Sequence, residues 1–439
     1  MTAPIENIVI AGAGQAGGRA AEALRARGFQ GAITILGEEP HPPYERPQLS
    51  KAMLHSPDAP VAYIKQARDW SDVLNVRLET GAAVTDCDAD RRTVTTADGR
   101  SFAYDRLLIA TGTRPRRLAV LENPGIEIQY LRNVEDALRF RKSVQHQSRI
   151  VIVGGGVIGL EMAGAFSDLG ARVTVIVREA EILPALDGDV SAYIRTILEG
   201  RGVSFHLGAT LERLSGERGV VTAHARKDGA PLAVTAQQVC LAVGRRYNPR
   251  RAGTDAIGLE TGQLGLQVDA HLRTSLPHVY AAGDAAGNQQ LTPTAAYEGR
   301  IAALNALRGD VQTVDYAVVP QTIFTTPEVA RVGLTHAEAL RRGVKCHVAG
   351  HDLAGASNGR ATGEDGGWLK LVFDGATEKV LGVQMVSWAA AELIQLAALA
   401  IRTGADAQLL SSQLSIHPSH GERLIKIFGH DAHEVCEPE

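Results

Sequence analysis

Asn7-Ile8-Val9-Ile10-Ala11-Gly12-Ala13-Gly14-Gln15-Ala16-Gly17 and Arg149-Ile150-Val151-Ile152-Val153-Gly154-Gly155-Gly156-Val157-Ile158-Gly159 are the same sentence written twice. Each runs from continuous β-branched apolar residues into G-x-G-x-x-G. In such a turn the first glycine (Gly12, Gly154) makes the tight bend, and the second (Gly14, Gly156) lets backbone approach a pyrophosphate. The third (Gly17, Gly159) lets the following helix close on the strand, its N-terminus facing the phosphates. One copy alone reads equally well as a glycine-rich surface turn. Two copies, each between a strand pattern and a helix pattern, weigh heavily against that. Two fingerprints imply two bound dinucleotides, one held tightly and one exchangeable.

Working outward, the first unit continues with a helix over Gly17 to Arg27 and a strand over Ala32 to Leu36. Glu38 or Glu39 then follows to accept from a ribose hydroxyl, with Glu39 favoured. The second unit repeats the scheme, with a helix over Gly159 to Leu169 and a strand over Val173 to Val177. There Val177 stands where a carboxylate is expected and Arg178 comes next. An arginine at that point suits the 2′-phosphate of NADP through charge-assisted bonds. Glu179 beside it weakens the positive field, so a solvated surface arginine is an equally good reading. The fingerprints lie 142 residues apart, the mark of a duplicated domain rather than a short repeat.

Short alternating runs between Ala82 and Ile109 predict a β-meander, closing on Ala110-Thr111-Gly112. The second unit ends in a matching strand and turn, Val239 to Gly244. The chain then reaches Val279-Tyr280-Ala281-Ala282-Gly283-Asp284, and beyond about Val319 its character changes. Strands near Trp368 to Phe373 and Val380 to Met385, with a helix over Ala389 to Thr403, predict an α+β unit. That helix is apolar over most of its surface, more than one buried face requires, which points to a two-fold dimer. The fold class is therefore α/β, with two Rossmann-like three-layer nucleotide-binding domains and a C-terminal α+β dimerisation domain. The domain boundaries read as 1–115 with 246–319, 116–245, and 320–439.

The 439 residues carry a net charge of −4, which argues against a nucleic-acid partner. Apolar and charged fractions of 45% and 21% are those of an ordinary soluble protein. Cys87, Cys240, Cys346 and Cys436 show no paired spacing, which fits a reducing, cytoplasmic setting and no metal site. No apolar run approaches the roughly 20 residues that span a bilayer.

Two dinucleotides pose the question of where electrons go. Enzymes that use a dithiol place it shortly after the first fingerprint, and here that stretch is Pro43-Tyr44-Glu45-Arg46-Pro47-Gln48-Leu49-Ser50-Lys51, without sulfur. The chain resembles the FAD-dependent pyridine nucleotide-disulfide oxidoreductases over essentially its whole length. Ala110-Thr111-Gly112 and Val279 to Asp284 are similar to that superfamily's two FAD signatures. The resemblance implies FAD on the first fold, held by Arg46, Thr111, Gly112 and Asp284 as well as the glycines, with Leu291-Thr292-Pro293 near the isoalloxazine ring. NAD(P)H would occupy the second fold, with Gly244 in its closing turn.

The pattern from Tyr44 to Lys51 resembles the ferredoxin reductase components of bacterial oxygenase systems, which implies that Lys51 sits at flavin N5 and pairs with Glu161. A cation there favours the negative charge of reduced flavin, and a carboxylate partner avoids a lone buried ammonium. Pro320 to Val329 and Ser415 to Glu422 resemble instead the dimerisation domain of glutathione and dihydrolipoamide reductases. By that likeness His417 and Glu422 match an acid–base pair serving a thiol that this chain lacks. His417 then reads either as a proton donor to a small acceptor or as an inherited interface residue. The leading expectation is a ferredoxin reductase, taking electrons from NAD(P)H through FAD to a small iron–sulfur protein. Arg114, Arg116, Arg117, Arg245, Arg246, Arg250 and Arg251 could offer that partner a basic face, although such clusters are more often solvated turns. The alternatives are direct reduction of a small molecule such as a quinone, and a non-catalytic NAD(P)H-sensing flavoprotein.

Overall fold

The apolar runs of the two fingerprints are the central strands of two parallel sheets. The computed structural model describes residues 4–439 apart from 57, 119–120, 122–124, 218, 251–252, 356, 429–433 and 437–439, and only the backbone of 357–358 and 434–436. The chain divides into two units. One comprises Met1–Arg116, Leu131–Arg139 and Gly244–Asp315, the other Arg117–Tyr130, Phe140–Val243 and Tyr316–Glu439.

In the first unit the sheet order is Val279–Ala281, Arg106–Ile109, Asn7–Ala11, Ala32–Leu36, Arg77–Glu79. All its pairings are parallel, and the strand carrying the fingerprint is covered on both faces, so Ile8, Val9 and Ile10 are all buried. The expected meander is present as antiparallel strands Val84–Asp88, Thr93–Thr96 and Ser101–Ala103. Helix Gln15–Ala26 leaves the fingerprint and helix Thr292–Arg308 follows the Asp284 turn. Gly12, at φ 123, is required twice over: a Cβ there would lie 2.1 Å from the Ala110 carbonyl oxygen.

The second unit holds the duplicate, ordered Ser204–His206, Arg172–Ile176, Arg149–Val153, Gln238–Leu241, Ile128–Gln129, also parallel. The copies agree bond for bond. Gly12 N–H donates to Leu36 O at 2.8 Å and Gly154 N–H to Ile176 O at 2.9 Å. Further on, Gly81 N–H donates to Glu39 O at 3.1 Å and Gly208 N–H to Glu179 O at 2.9 Å. This register puts Arg178 where the first copy has Glu38, and Glu179 where it has Glu39. The acid that the linear spacing showed as missing is therefore displaced by two residues from Val177, which is buried against Gly155.

The same unit carries a six-stranded sheet, ordered Gln321–Ile323, Glu328–Gly333, Val380–Ser387, Trp368–Asp374, Cys346–Asp352, Glu434–Cys436. Its core takes in Ala390, Ile394, Ala397 and Ala400 of helix Ala390–Thr403, which ends on Gly404 in the left-handed cap conformation. Much of the apolar surplus expected on this helix is absorbed, since Leu393, Leu396 and Ile401 pack partly on the same core. Leu399 is the exception at 59% exposed. Cys87, Cys240 and Cys346 are buried, and burial, with help from Asp86 and Asp255, pushes the Cys87 thiol up to about 12. Cys346 stands opposite Cys436 in strand register, a proximity that their separation in sequence conceals.

Candidate functional site

A cleft opens at the carboxyl ends of the first unit's strands, where open α/β sheets bind ligands. Its walls are the fingerprint (Gly12 to Ala16), the turn after the second strand (Gly37 to Glu39), Ala110 to Gly112, and the start of helix Thr292–Arg308. About 1160 Å³ of space lies within it, its solvent-facing mouth included. Gly14 is the N-cap of its helix, and no described protein atom lies within 4 Å of where its Cβ would be. The backbone there is open to a ligand. Thr292 opens a 17-residue helix whose N-cap, Leu291, supplies no side-chain bond, so the positive end of its dipole is turned to the cleft.

Asp284 gathers cations. Its Oδ2 accepts from Thr113 Oγ1 at 2.8 Å and lies 2.9 Å from Arg245 Nη1 and 3.5 Å from Arg132 Nη2. The preceding residue is fixed from below, Gly283 N–H donating to the fully buried Glu298 at 2.7 Å. On the other wall, Arg46 donates to Glu39 at 2.8 Å, to Tyr44 Oη at 2.7 Å and to the Arg132 carbonyl at 2.6 Å. Tyr44 Oη in turn donates to Glu39 at 2.7 Å. Burial alone would raise the Glu39 pKa, but Arg46 and the Tyr44 bond outweigh it and hold the carboxylate ionised. Glu38 pairs with Arg114 on the same wall.

Three guanidinium groups thus face two carboxylates, and a positive charge is left over. Arg132 bears the strain: burial first, then Arg46 and Arg245, pull its pKa down to about 9 against the opposing pull of Asp284 and Glu39. A ligand carrying negative charge relieves that crowding. Together with the bare Gly14 backbone and the helix end, this fits the pyrophosphate of FAD. The sequence reading missed Arg132, which belongs to no motif, and placed Arg114 and Arg245 on a docking face. That expectation is corrected for these two, since both line the cleft.

The other expected residues fall as follows. Thr111 and Gly112 line the cleft, and Gly112 sits at φ 68. Lys51 lies in the first unit just after the short helix Arg46–Ser50, donating to the Pro47 carbonyl at 3.2 Å. Glu161 lies in the second unit, buried on helix Val157–Asp168 and accepting from Phe324 N–H at 3.0 Å. Gly154, Gly156 and Gly159 form the second turn, and Gly244, at φ 93, follows the strand beside it. Arg178 is largely exposed and bonded to Glu179 at 2.6 Å. His417 Nδ1 lies 2.9 Å from Glu422, which Lys426 also contacts, while the imidazole remains 65% exposed. Arg116, Arg246 and Arg250 are exposed, Arg117 lies over the Tyr130 ring, and Arg251 lies outside the described residues. Among the described residues no cluster has metal-ligand composition, and no helix is long and apolar enough to cross a membrane.

A duplicated dinucleotide fold with an anion cradle on the first copy defines a two-nucleotide oxidoreductase. The chain belongs to the pyridine nucleotide-disulphide oxidoreductase family, whose model matches residues 6–299, the family's dimerisation domain matching residues 319–427. It is 38% identical over 64% of its length to the ferredoxin–NAD(+) reductase component of the p-cumate 2,3-dioxygenase system of Pseudomonas putida, covering 68% of that protein. It is also 32% identical over 78% of its length to the dihydrolipoyl dehydrogenase of Halobacterium salinarum, covering 73% of it. Among solved structures, the covalent putidaredoxin reductase–putidaredoxin complex matches with a TM-score of 0.74 and 27% identity, over 91% of this chain and 94% of that one. An NAD-dependent persulfide reductase from A. fulgidus shares the fold at TM-score 0.82 and 22% identity, over 96% and 82%. The protein is an FAD-dependent NAD(P)H oxidoreductase.

Proposed function

We propose that this protein is a ferredoxin reductase working without a dithiol, with FAD on the first fold, NAD(P)H on the second, and an iron–sulfur protein as electron acceptor. The observation that carries the reading is the stretch from Tyr44 to Lys51, where Arg46 is built into the cleft wall and no cysteine is present. FAD held there would supply two-electron acceptance from nicotinamide and one-electron release, which suits a one-electron acceptor. The 38% identical relative named for that activity supports the same acceptor class. The chain's own residues would bind and orient FAD: Arg46, Arg132 and Arg245 would hold the pyrophosphate charge, and Asp284 would take a ribityl hydroxyl. Lys51 would place its cation near the ring. Arg116, Arg246 and Arg250 supply the exposed cations that meet an acidic partner.

A homodimer forms through the six-stranded sheet and its helices. Leu399, Leu409, Leu414 and Ile416, at 59, 62, 95 and 80% exposed, are the apolar side chains such an interface would cover. A second reading rests on His417, whose Nδ1 is held by Glu422 while its exposed ring is presented to solvent. In that case the acceptor is a small molecule such as a quinone, protonated by His417. Reduction of a [2Fe–2S] ferredoxin by the holoenzyme under NADPH or NADH, compared with a soluble quinone, separates the two. Ferredoxin turnover that survives His417→Ala supports the first, and quinone turnover abolished by the same change supports the second.

A further inference from the structure

Asp187 occupies the N-cap position of helix Gly188–Gly200, but its side chain makes no capping bond to that helix among the described residues. Its carboxylate oxygens instead accept from the backbone amides of His336 and Ala337 at 3.0 and 3.1 Å. Those amides open helix His336–Arg341, which already has a complete capping box from Thr335 and Glu338. Gln384 Nε2 donates to the same carboxylate at 2.6 Å, and Gln384 Oε1 accepts from the Asp187 amide at 2.8 Å. Lys370 Nζ lies 3.3 Å from Asp187 and 2.9 Å from Asp189. Lys370 and Gln384 face each other on adjacent antiparallel strands, so the sheet presents both as one platform. All three residues are buried, and the ring of donors leaves the carboxylate saturated.

This exceeds what one helix end needs. The segment it anchors, 177–187, follows strand Arg172–Ile176 and packs against the second fingerprint. Leu183 N–H donates to Gly155 O at 2.9 Å, and Val177 and Ile182 close over Gly155, where a Cβ would lie 2.9 and 3.1 Å from their methyl carbons. Leu183 holds a left-handed conformation at φ 48, and Ala185 O accepts from Arg331. One end of the segment therefore touches the fingerprint and carries Arg178 and Glu179. The other is pinned to the six-stranded sheet.

We propose that Asp187, Lys370 and Gln384 are positioning residues for the nicotinamide nucleotide, fixing the segment that bears Arg178 and Glu179 against Gly155. The proposal rests on the reading that the second fold takes NAD(P)H. Holoenzyme carrying Lys370→Met or Gln384→Met is titrated with NADP+ and with NAD+ by calorimetry, with FAD content and flavin reduction at saturating nucleotide measured beside it. Dissociation constants should rise about 2- to 30-fold, the range for residues that act through a supporting element. FAD content and the saturated reduction rate should stay at the parent level, and Lys370→Arg should restore most of the affinity. Arg178→Ala is run in parallel, and unchanged constants for both nucleotides there overturn the assignment of the segment itself. Unchanged constants in both folded methionine variants, with Arg178→Ala affected, overturn the positioning role alone. If neither methionine variant folds with FAD bound, the cluster is a folding element and the proposal is wrong.

Discussion

Arg245 Nη1 meets Asp284 Oδ2 at 2.9 Å, in the same cleft where Arg132 approaches that oxygen at 3.5 Å. Two guanidinium groups on one carboxylate are more positive charge than the protein alone neutralises. Arg132→Leu should therefore leave the FAD-free protein no less stable, because it relieves like-charge crowding. Its affinity for FAD should fall by about 10- to 150-fold, the loss for one charge-assisted bond. Titration of apoprotein with FAD, beside thermal unfolding, checks both halves. A variant that binds FAD normally would show that Arg132 does not face the pyrophosphate.

Gly14→Val should abolish flavin retention. The Cβ meets no described protein atom, so the change is tolerated by the fold and felt only where the pyrophosphate must approach the backbone. A yellow, FAD-loaded variant would count against the first fold as the flavin site.

The two fingerprints and the Asp284 strand were legible because each depends on a local pattern of apolar runs and glycines. The charge cradle was not. Thr113 and Asp284 are 171 residues apart, and Arg132 enters the cleft from a segment with no motif of its own. Arg245 read as surface because a run of arginines after a turn usually is, and only the fold turns it onto Asp284. Glu179 read only as a neighbour weakening the field of Arg178, because the acid is expected at the strand end, whereas the backbone bonds of the duplicate place it opposite Glu39.

Nucleotide choice should lean toward NADPH through Arg178. Removing it should weaken NADPH use by about 10- to 150-fold, the cost of one charge-assisted bond, and spare NADH. Glu179→Ala should act in the opposite direction, since it releases the guanidinium that Glu179 holds at 2.6 Å. Equal losses for both nucleotides in Arg178→Ala would show that no phosphate is read there.

Acid should loosen the first unit through Glu39. Burial raises its pKa, but Arg46 and Tyr44 more than offset that, so the folded value lies below the ordinary one. Stability from this group is therefore complete above the unfolded carboxylate value of about 4.3, and is lost as pH falls through the folded value. Urea midpoints of FAD-free protein measured downward from about pH 6 should fall in the parent. Glu39→Gln should be less stable at neutral pH and show a flatter acid limb; an identical limb would remove Glu39 from the account.

Electron transfer through the flavin should need no thiol. Replacing Cys87, Cys240, Cys346 and Cys436 together should leave flavin reduction by nicotinamide intact, apart from packing losses of about 1 kcal/mol each. Lys51→Met should slow that reduction markedly while retaining FAD. Loss of turnover in a folded, cysteine-free protein would instead identify a thiol enzyme of unfamiliar layout.

The most direct measurement is anaerobic stopped-flow with holoenzyme reduced by stoichiometric NADPH or NADH and then mixed with an oxidised [2Fe–2S] ferredoxin or with a quinone. Flavin should bleach without a long-wavelength thiolate–flavin band and then reoxidise in step with one-electron ferredoxin reduction, faster than with quinone. A thiolate–flavin band, or reoxidation by quinone with ferredoxin left oxidised, would contradict a ferredoxin reductase working without a dithiol.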